Sequence, residues 1–131
     1  MIKRFHSNLF YASNLEKTKE FYDLLGFDVQ ESEDMVKVKI GDFTLAFIDE
    51  NKTPIKNESG MQPKGLGIYI YIEVENVDEY YASINEKGVI PRTEPKTWPW
   101  NKREFVVKDP DGYKLVFYSP TKVKNPNLKF S

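Results

Sequence analysis

The stretch Gly67-Ile68-Tyr69-Ile70-Tyr71-Ile72-Glu73-Val74-Glu75-Asn76-Val77 reads as a strand that hands the chain to a helix. Ile68, Ile70, Ile72 and Val74 share one face of an extended segment, and Tyr69, Tyr71 and Glu73 take the other. That two-residue period is the mark of a half-buried strand. Asn76 with Glu79 three residues on starts a helix. Val77, Tyr80, Tyr81 and Ile84 then recur at helical spacing until Gly88 stops it. A shift of 62 residues towards the N-terminus meets the same order, with Asn14 under Asn76, Leu15 under Val77 and Gly26 under Gly88. There, residues 5–12 read as the strand. Ser13 with Glu16 reads as a capping box and Asn14 as an alternative cap, and Leu15, Thr18, Phe21, Tyr22 and Leu25 form the helical stripe.

Each helix is followed by further strand-like segments. In the first half these are residues 27–31, then 35–40 and 43–48 around the hairpin turn Gly41-Asp42. In the second half a loop rich in Pro and Trp (91–101) precedes strands at 103–108 and 113–118, joined by the turn Asp109-Pro110-Asp111-Gly112. A shift of 70 residues now lays Leu45 on Leu115 and Phe47 on Phe117, the extra length falling in the Pro/Trp loop. The chain is therefore two βαβββ repeats, at about 5–48 and 67–118, an α+β pattern. A solvated linker is expected at 49–66 and a polar tail at 119–131, with Leu128 and Phe130 as its apolar docking residues. One repeat alone would leave an apolar sheet face exposed, so the halves must pair with each other or with another chain.

With 131 residues the expectation is a single domain, and 40% apolar residues, with 8 Tyr and 9 Phe, suffice for a core. The 19 basic and 20 acidic side chains nearly cancel, which supplies no electrostatic reason for a nucleic-acid or membrane partner. The chain has no cysteine, which removes disulfides, thiolate catalysis and thiolate metal sites. No apolar run approaches the ~20 residues of a membrane span. A cytoplasmic location is the expectation.

Asn14-Leu15-Glu16-Lys17-Thr18-Lys19-Glu20-Phe21-Tyr22, then Leu25-Gly26-Phe27, together with Asp109-Pro110-Asp111-Gly112-Tyr113, resemble the vicinal oxygen chelate superfamily. That superfamily holds glyoxalase, extradiol (ring-cleaving) dioxygenases, fosfomycin-inactivating enzymes and bleomycin resistance proteins. Trp98-Pro99-Trp100-Asn101-Lys102-Arg103-Glu104-Phe105 is most similar to the bleomycin-resistance branch, with Asn101 where glycine is usual. The resemblance spans residues 5–118. It implies a curved, barrel-like mixed sheet with helices outside, a small-molecule cavity, and a homodimer.

It also implies where a metal would sit, since enzymes of the superfamily hold a divalent ion with His and Glu on the first and last strand of each half. Those positions fall on Ser7 and Ala46, and on Tyr69 and Val116. None is an imidazole or a carboxylate, so the expectation is no metal, no cofactor and no catalytic residue. His6 neighbours the first position, but one step along a strand turns a side chain to the opposite face.

If the Ile68/Ile70/Ile72/Val74 face packs on the helices, Tyr69, Tyr71 and Glu73 line the concave side. Ser7, Leu9 and Tyr11 do so from the first strand, with Lys37 and Lys39, Glu104 and Val106, and Lys114, Val116 and Tyr118 on later strands. Trp98 and Trp100 border the same crevice by the resemblance. Rigid aromatic faces with a few orienting charges suit a flat or amphipathic organic ligand. The expected ligand residues are Ser7, Leu9, Tyr11, Lys39, Tyr69, Tyr71, Glu73, Trp98, Trp100, Glu104, Val116 and Tyr118. The leading expectation is a non-enzymatic binder that sequesters its ligand. The alternatives are a lyase, isomerase or dioxygenase, with relocated metal ligands or with Glu73, Glu104 or Tyr69 as acid and base, and an interaction domain without a small ligand.

Overall fold

The structure, a computed structural model, describes residues 1–54, 56–58 and 63–121. The chain divides into two compact units at Lys64/Gly65. Each is one βαβββ module. The first runs β1 (Asn8–Ala12), α1 (Leu15–Leu24), β2 (Asp28–Ser32), β3 (Met35–Ile40) and β4 (Phe43–Asp49). The second runs β5 (Tyr69–Glu73), α2 (Val77–Glu86), β6 (Lys96–Trp98), β7 (Lys102–Lys108) and β8 (Lys114–Pro120).

The strands make two four-stranded mixed sheets, ordered β1-β4-β3-β2 and β5-β8-β7-β6, and not one barrel-like sheet running through both modules. In each, the strand before the helix lies parallel to the last strand, and the other pairings are antiparallel. The two halves also share their register. Leu9 faces Ala46 in the first sheet, and Tyr71 faces Val116 in the second, the same pair after shifts of 62 and 70 residues.

Both helices start on an asparagine cap and stop at a glycine. Asn14, the alternative cap, is the one used, and its Oδ1 accepts from the Lys17 backbone N–H at 3.1 Å. Asn76 does the same for Glu79. Gly26 and Gly88 follow the helices at φ +93° and +91°, a left-handed turn that β-carbons disfavour.

The apolar faces carry the cores. Tyr22 of α1, fully buried, meets Phe47 of β4 at 5.0 Å between ring centroids. In the second module Tyr80 lies 4.7 Å from Phe117, and Tyr81 meets Phe105 edge-on at 5.2 Å. Phe47, Phe105, Phe117, Leu115, Val38 and Val107 are all essentially inaccessible to solvent. Ile72 is buried while Tyr69 and Tyr71 are 60% and 48% exposed, so β5 turns the face with the isoleucines inwards.

Several features differ from the sequence reading. Residues 5–7 are not strand: β1 begins only at Asn8, opposite Leu45. Phe5 instead packs on Phe43 across 6.0 Å. The Pro/Trp loop contains the short strand β6, paired with β7. The supposed tail starts too early, because Ser119 and Pro120 complete β8 and the Ser119 hydroxyl donates to the Val74 carbonyl at 2.9 Å. The rest of that tail, with Leu128 and Phe130, lies outside the described residues. The linker is partly tied down as well. Tyr11 donates to the Lys56 carbonyl, Lys64 pairs with Glu50, and a β-carbon on Gly65 would stand 2.7 Å from the Gly112 carbonyl oxygen.

Candidate functional site

Strand alternation puts a patterned surface on the second sheet, opposite α2. It carries Tyr69, Tyr71 and Glu73 from β5, Lys114, Val116 and Tyr118 from β8, Glu104 and Val106 from β7, and Trp98 from β6. Glu104 is its centre. The residue is only 7% exposed, and its carboxylate accepts from Trp100 Nε1 at 2.7 Å and from the Tyr71 hydroxyl at 3.1 Å. A buried carboxylate needs such donors, because an unpaired charge in this position would be strongly penalised. Burial, then the charge and hydrogen bond of Glu104, push the Tyr71 phenol up to about 12. Tyr71 is therefore a fixed donor at neutral pH. Tyr118 repeats the arrangement at the edge: its hydroxyl donates to Glu73 at 3.1 Å, and burial followed by Glu73 raises its pKa. The Tyr71 and Tyr118 rings meet at 5.9 Å.

The indoles come from the hairpin between β6 and β7. Trp98 pairs with Lys102 across the ladder, which leaves Pro99, Trp100 and Asn101 as a three-residue loop. Asn101 adopts φ +64°, and its N–H donates to the Trp98 carbonyl. Glycine is the usual residue in such a turn, and asparagine is among the few others that tolerate it. The turn lays the two indoles parallel, with centroids 4.7 Å apart and planes 8° from each other. The Trp100 hydrogen bond to Glu104 fixes that indole, and Trp98 stacks on it.

Of the twelve expected ligand residues, this face brings together Tyr71, Glu73, Trp98, Trp100, Glu104 and Tyr118, with Tyr69 beside them under the Lys114 ammonium. Val116 is 1% exposed and offers no open surface. The first-module residues make no comparable network. Leu9 is half exposed, Lys39 is exposed, the Tyr11 hydroxyl is held by the Lys56 carbonyl, and Ser7 precedes β1 with its hydroxyl 3.0 Å from His6 Nδ1. The first module does hold a cavity of about 410 Å³, lined by Ser32, Glu33, Asp34, Met35, Ile48, Asp49, Lys52, Thr53 and Pro54. It has adequate volume for a ligand but no aromatic ring in its wall.

Sequence reasoning overlooked Lys96 and Lys102. Lys96 Nζ stands 4.0 Å above the Trp98 ring, and Lys102 Nζ 5.2 Å from the Tyr118 ring centre. The alternation Lys102, Glu104, Val106, Lys108 was the available signal for Lys102. Lys96 lies in a three-residue strand, too short to show a period in the sequence.

The positions where superfamily enzymes carry metal ligands do not suit a divalent ion here. Ala46 and Val116 are buried and have no donor atom, and Ser7 and Tyr69 offer only neutral hydroxyls. Among the described residues no three His, Asp or Glu side chains gather as a metal site.

The sequence profile of the Glyoxalase/Bleomycin resistance protein/Dioxygenase superfamily matches residues 4–117. The chain belongs to this superfamily. A bleomycin resistance protein of Geobacillus stearothermophilus is 28% identical over 122 residues, covering 85% of this chain and 92% of that protein. The crystal structure of a glyoxalase/bleomycin resistance protein/dioxygenase from Nocardioides superposes with a TM-score of 0.77 at 18% identity, covering 98% of this chain and 91% of that one. A superfamily member from Sphaerobacter thermophilus shares 26% identity at a TM-score of 0.69, covering 90% and 98%. Membership establishes the doubled βαβββ fold. The superfamily's name spans enzymes and resistance proteins, so the choice between them rests on the site.

Proposed function

We propose that this chain is a metal-independent small-molecule binding protein. It sequesters a planar aromatic or amphipathic ligand against the aromatic face of its second module, and acts in the cytoplasm as a homodimer. The observation that carries this reading is the parallel Trp98–Trp100 pair locked to Glu104, with Tyr71 on the same carboxylate. Rings held in place before binding lose little freedom when a ligand stacks on them, and this preorganisation favours affinity. The carboxylates support binding over catalysis, because Glu104 is buried and already accepts two hydrogen bonds, and Glu73 is taken by Tyr118. The likeness to bleomycin resistance proteins is consistent with sequestration and leaves the ligand open.

The test is a calorimetric titration of bleomycin and of the uncharged probe 2-naphthol into the wild-type chain and into a Trp98→Ala/Trp100→Ala variant. Loss of the indoles should weaken binding by about 2 kcal/mol or more, roughly thirtyfold. Unchanged affinity would assign both indoles a structural part and overturn the site. Metal independence is tested separately by metal content after dialysis against Mn, Fe, Ni and Zn. About one bound metal per chain would contradict it.

A further inference from the structure

The charges around the stacked indoles point to the kind of ligand this face takes. The inference rests on the reading of that face as the ligand site. Four lysines project from the same side of the second sheet: Lys96 from β6, Lys102 and Lys108 from β7, and Lys114 from β8. Two carboxylates, Glu73 and Glu104, share the side with them. Both are engaged by neutral donors, Glu104 by Trp100 and Tyr71 and Glu73 by Tyr118. None of the four lysines forms an ion pair with a carboxylate among the described residues. Lys114 donates instead to the Gly65 carbonyl oxygen.

The ring faces are also occupied. Ammonium groups stand over Trp98 at 4.0 Å, Tyr118 at 5.2 Å and Tyr69 at 4.9 Å. A cationic ligand seeking an aromatic face would compete with these groups and be repelled by them. An aromatic anion would meet the opposite situation: its acid group would pair with Lys96 or Lys102 and draw that ammonium aside, so that its rings stack on the indole pair in place of the cation. We propose that the second-module face selects a planar aromatic anion, such as a fused-ring carboxylate or sulfonate, over neutral and cationic molecules of the same shape.

Three probes with one ring system test this: 2-naphthoate, 2-naphthol and 2-naphthylmethylammonium, titrated at low salt into the wild-type chain and a Lys96→Gln/Lys102→Gln variant. Naphthoate should bind about tenfold more tightly than naphthol, with the ammonium weakest. The preference should shrink in the variant and in high salt, where exposed charges are screened. An ammonium that binds as tightly as the carboxylate, or a preference untouched by the two substitutions, would overturn the charge selection while leaving the stacking site intact. Failure of all three probes to bind would instead sink the ligand-face reading itself, and this inference with it.

Discussion

The two modules share a ladder yet carry different chemistry on it. Where the second sheet sets Glu104 opposite Tyr118 and Tyr118 opposite Glu73, the first sets Met35 opposite Ile48 and Ile48 opposite Tyr11. Tyr71 beside Val116 becomes Leu9 beside Ala46. At these positions one sheet builds a hydrogen-bonded aromatic network, and the other a cavity of about 410 Å³ whose wall includes Met35 and Ile48. The scaffold is set by what the duplicated segments have in common, namely the apolar face, the asparagine cap and the glycine stop. The chemistry is set by what they do not share, above all the two indoles of the Trp98–Lys102 hairpin, where the equivalent Ser32–Met35 hairpin of the first half carries no aromatic ring.

The strongest way to test the shared scaffold is to strike equivalent core residues. Phe47 and Phe117 correspond under the repeat, and both are buried to within 1% of complete. Truncating either to alanine should cost about 3–5 kcal/mol in denaturant unfolding. A large cost at one site and a trivial cost at the other would mean the modules are not energetically alike.

A middle-sized effect should separate the modules. Glu104→Leu leaves the Trp100 and Tyr71 donors without their acceptor and should destabilise by about 1–3 kcal/mol. Met35→Leu, at the matching ladder position, should cost less than about 1.5 kcal/mol. Equal costs would show that the network contributes nothing beyond packing. The same contrast has a pH signature. Tyr71 is held up to about 12, so the folded chain keeps its phenol proton above the ordinary tyrosine range. That contribution is fully present below about pH 10 and is lost as pH rises through about 12. Glu104→Gln removes the charge that helps raise Tyr71, so its spectrophotometric titration should move to lower pH. A titration unmoved by the substitution would mean that burial alone sets the Tyr71 value.

The smallest expected effect returns to likeness. Asn14→Ala and Asn76→Ala should each lose about 1 kcal/mol, because each removes one side-chain acceptor for a helix N–H. A difference well beyond that scale between the two would break the equivalence of the helix starts.

How much of this was legible follows from the range of the interactions involved. Period-two and helical spacings are local, so β3 at Met35–Ile40 and both helices could be read directly, and the Asn14/Asn76 and Phe47/Phe117 correspondences set the repeat. The orientation of β5 followed from the alternation of Ile72 with Tyr71 and Glu73. β6 could not be read in the same way. Three residues, Lys96, Thr97 and Trp98, bounded by prolines carry too little periodicity, and the strand exists through its pairing with β7. The separation into two sheets was equally hidden, since local pattern says nothing about which strands become edges. Tyr71, Glu104 and Trp100 were each named as ligand residues, but their convergence on one carboxylate depends on the register of β7 against β8. Lys102 above Tyr118 depends on that register too.

The central claim is that ligand binding belongs to the aromatic face of the second module, and a chemical-shift titration of the ¹⁵N-labelled chain with 2-naphthoate addresses it most directly. The account predicts the largest shifts at the indole N–H signals of Trp98 and Trp100 and along β5, β7 and β8. Shifts confined to Met35, Ile48 and the other residues of the first-module cavity, with silent indoles, would contradict it.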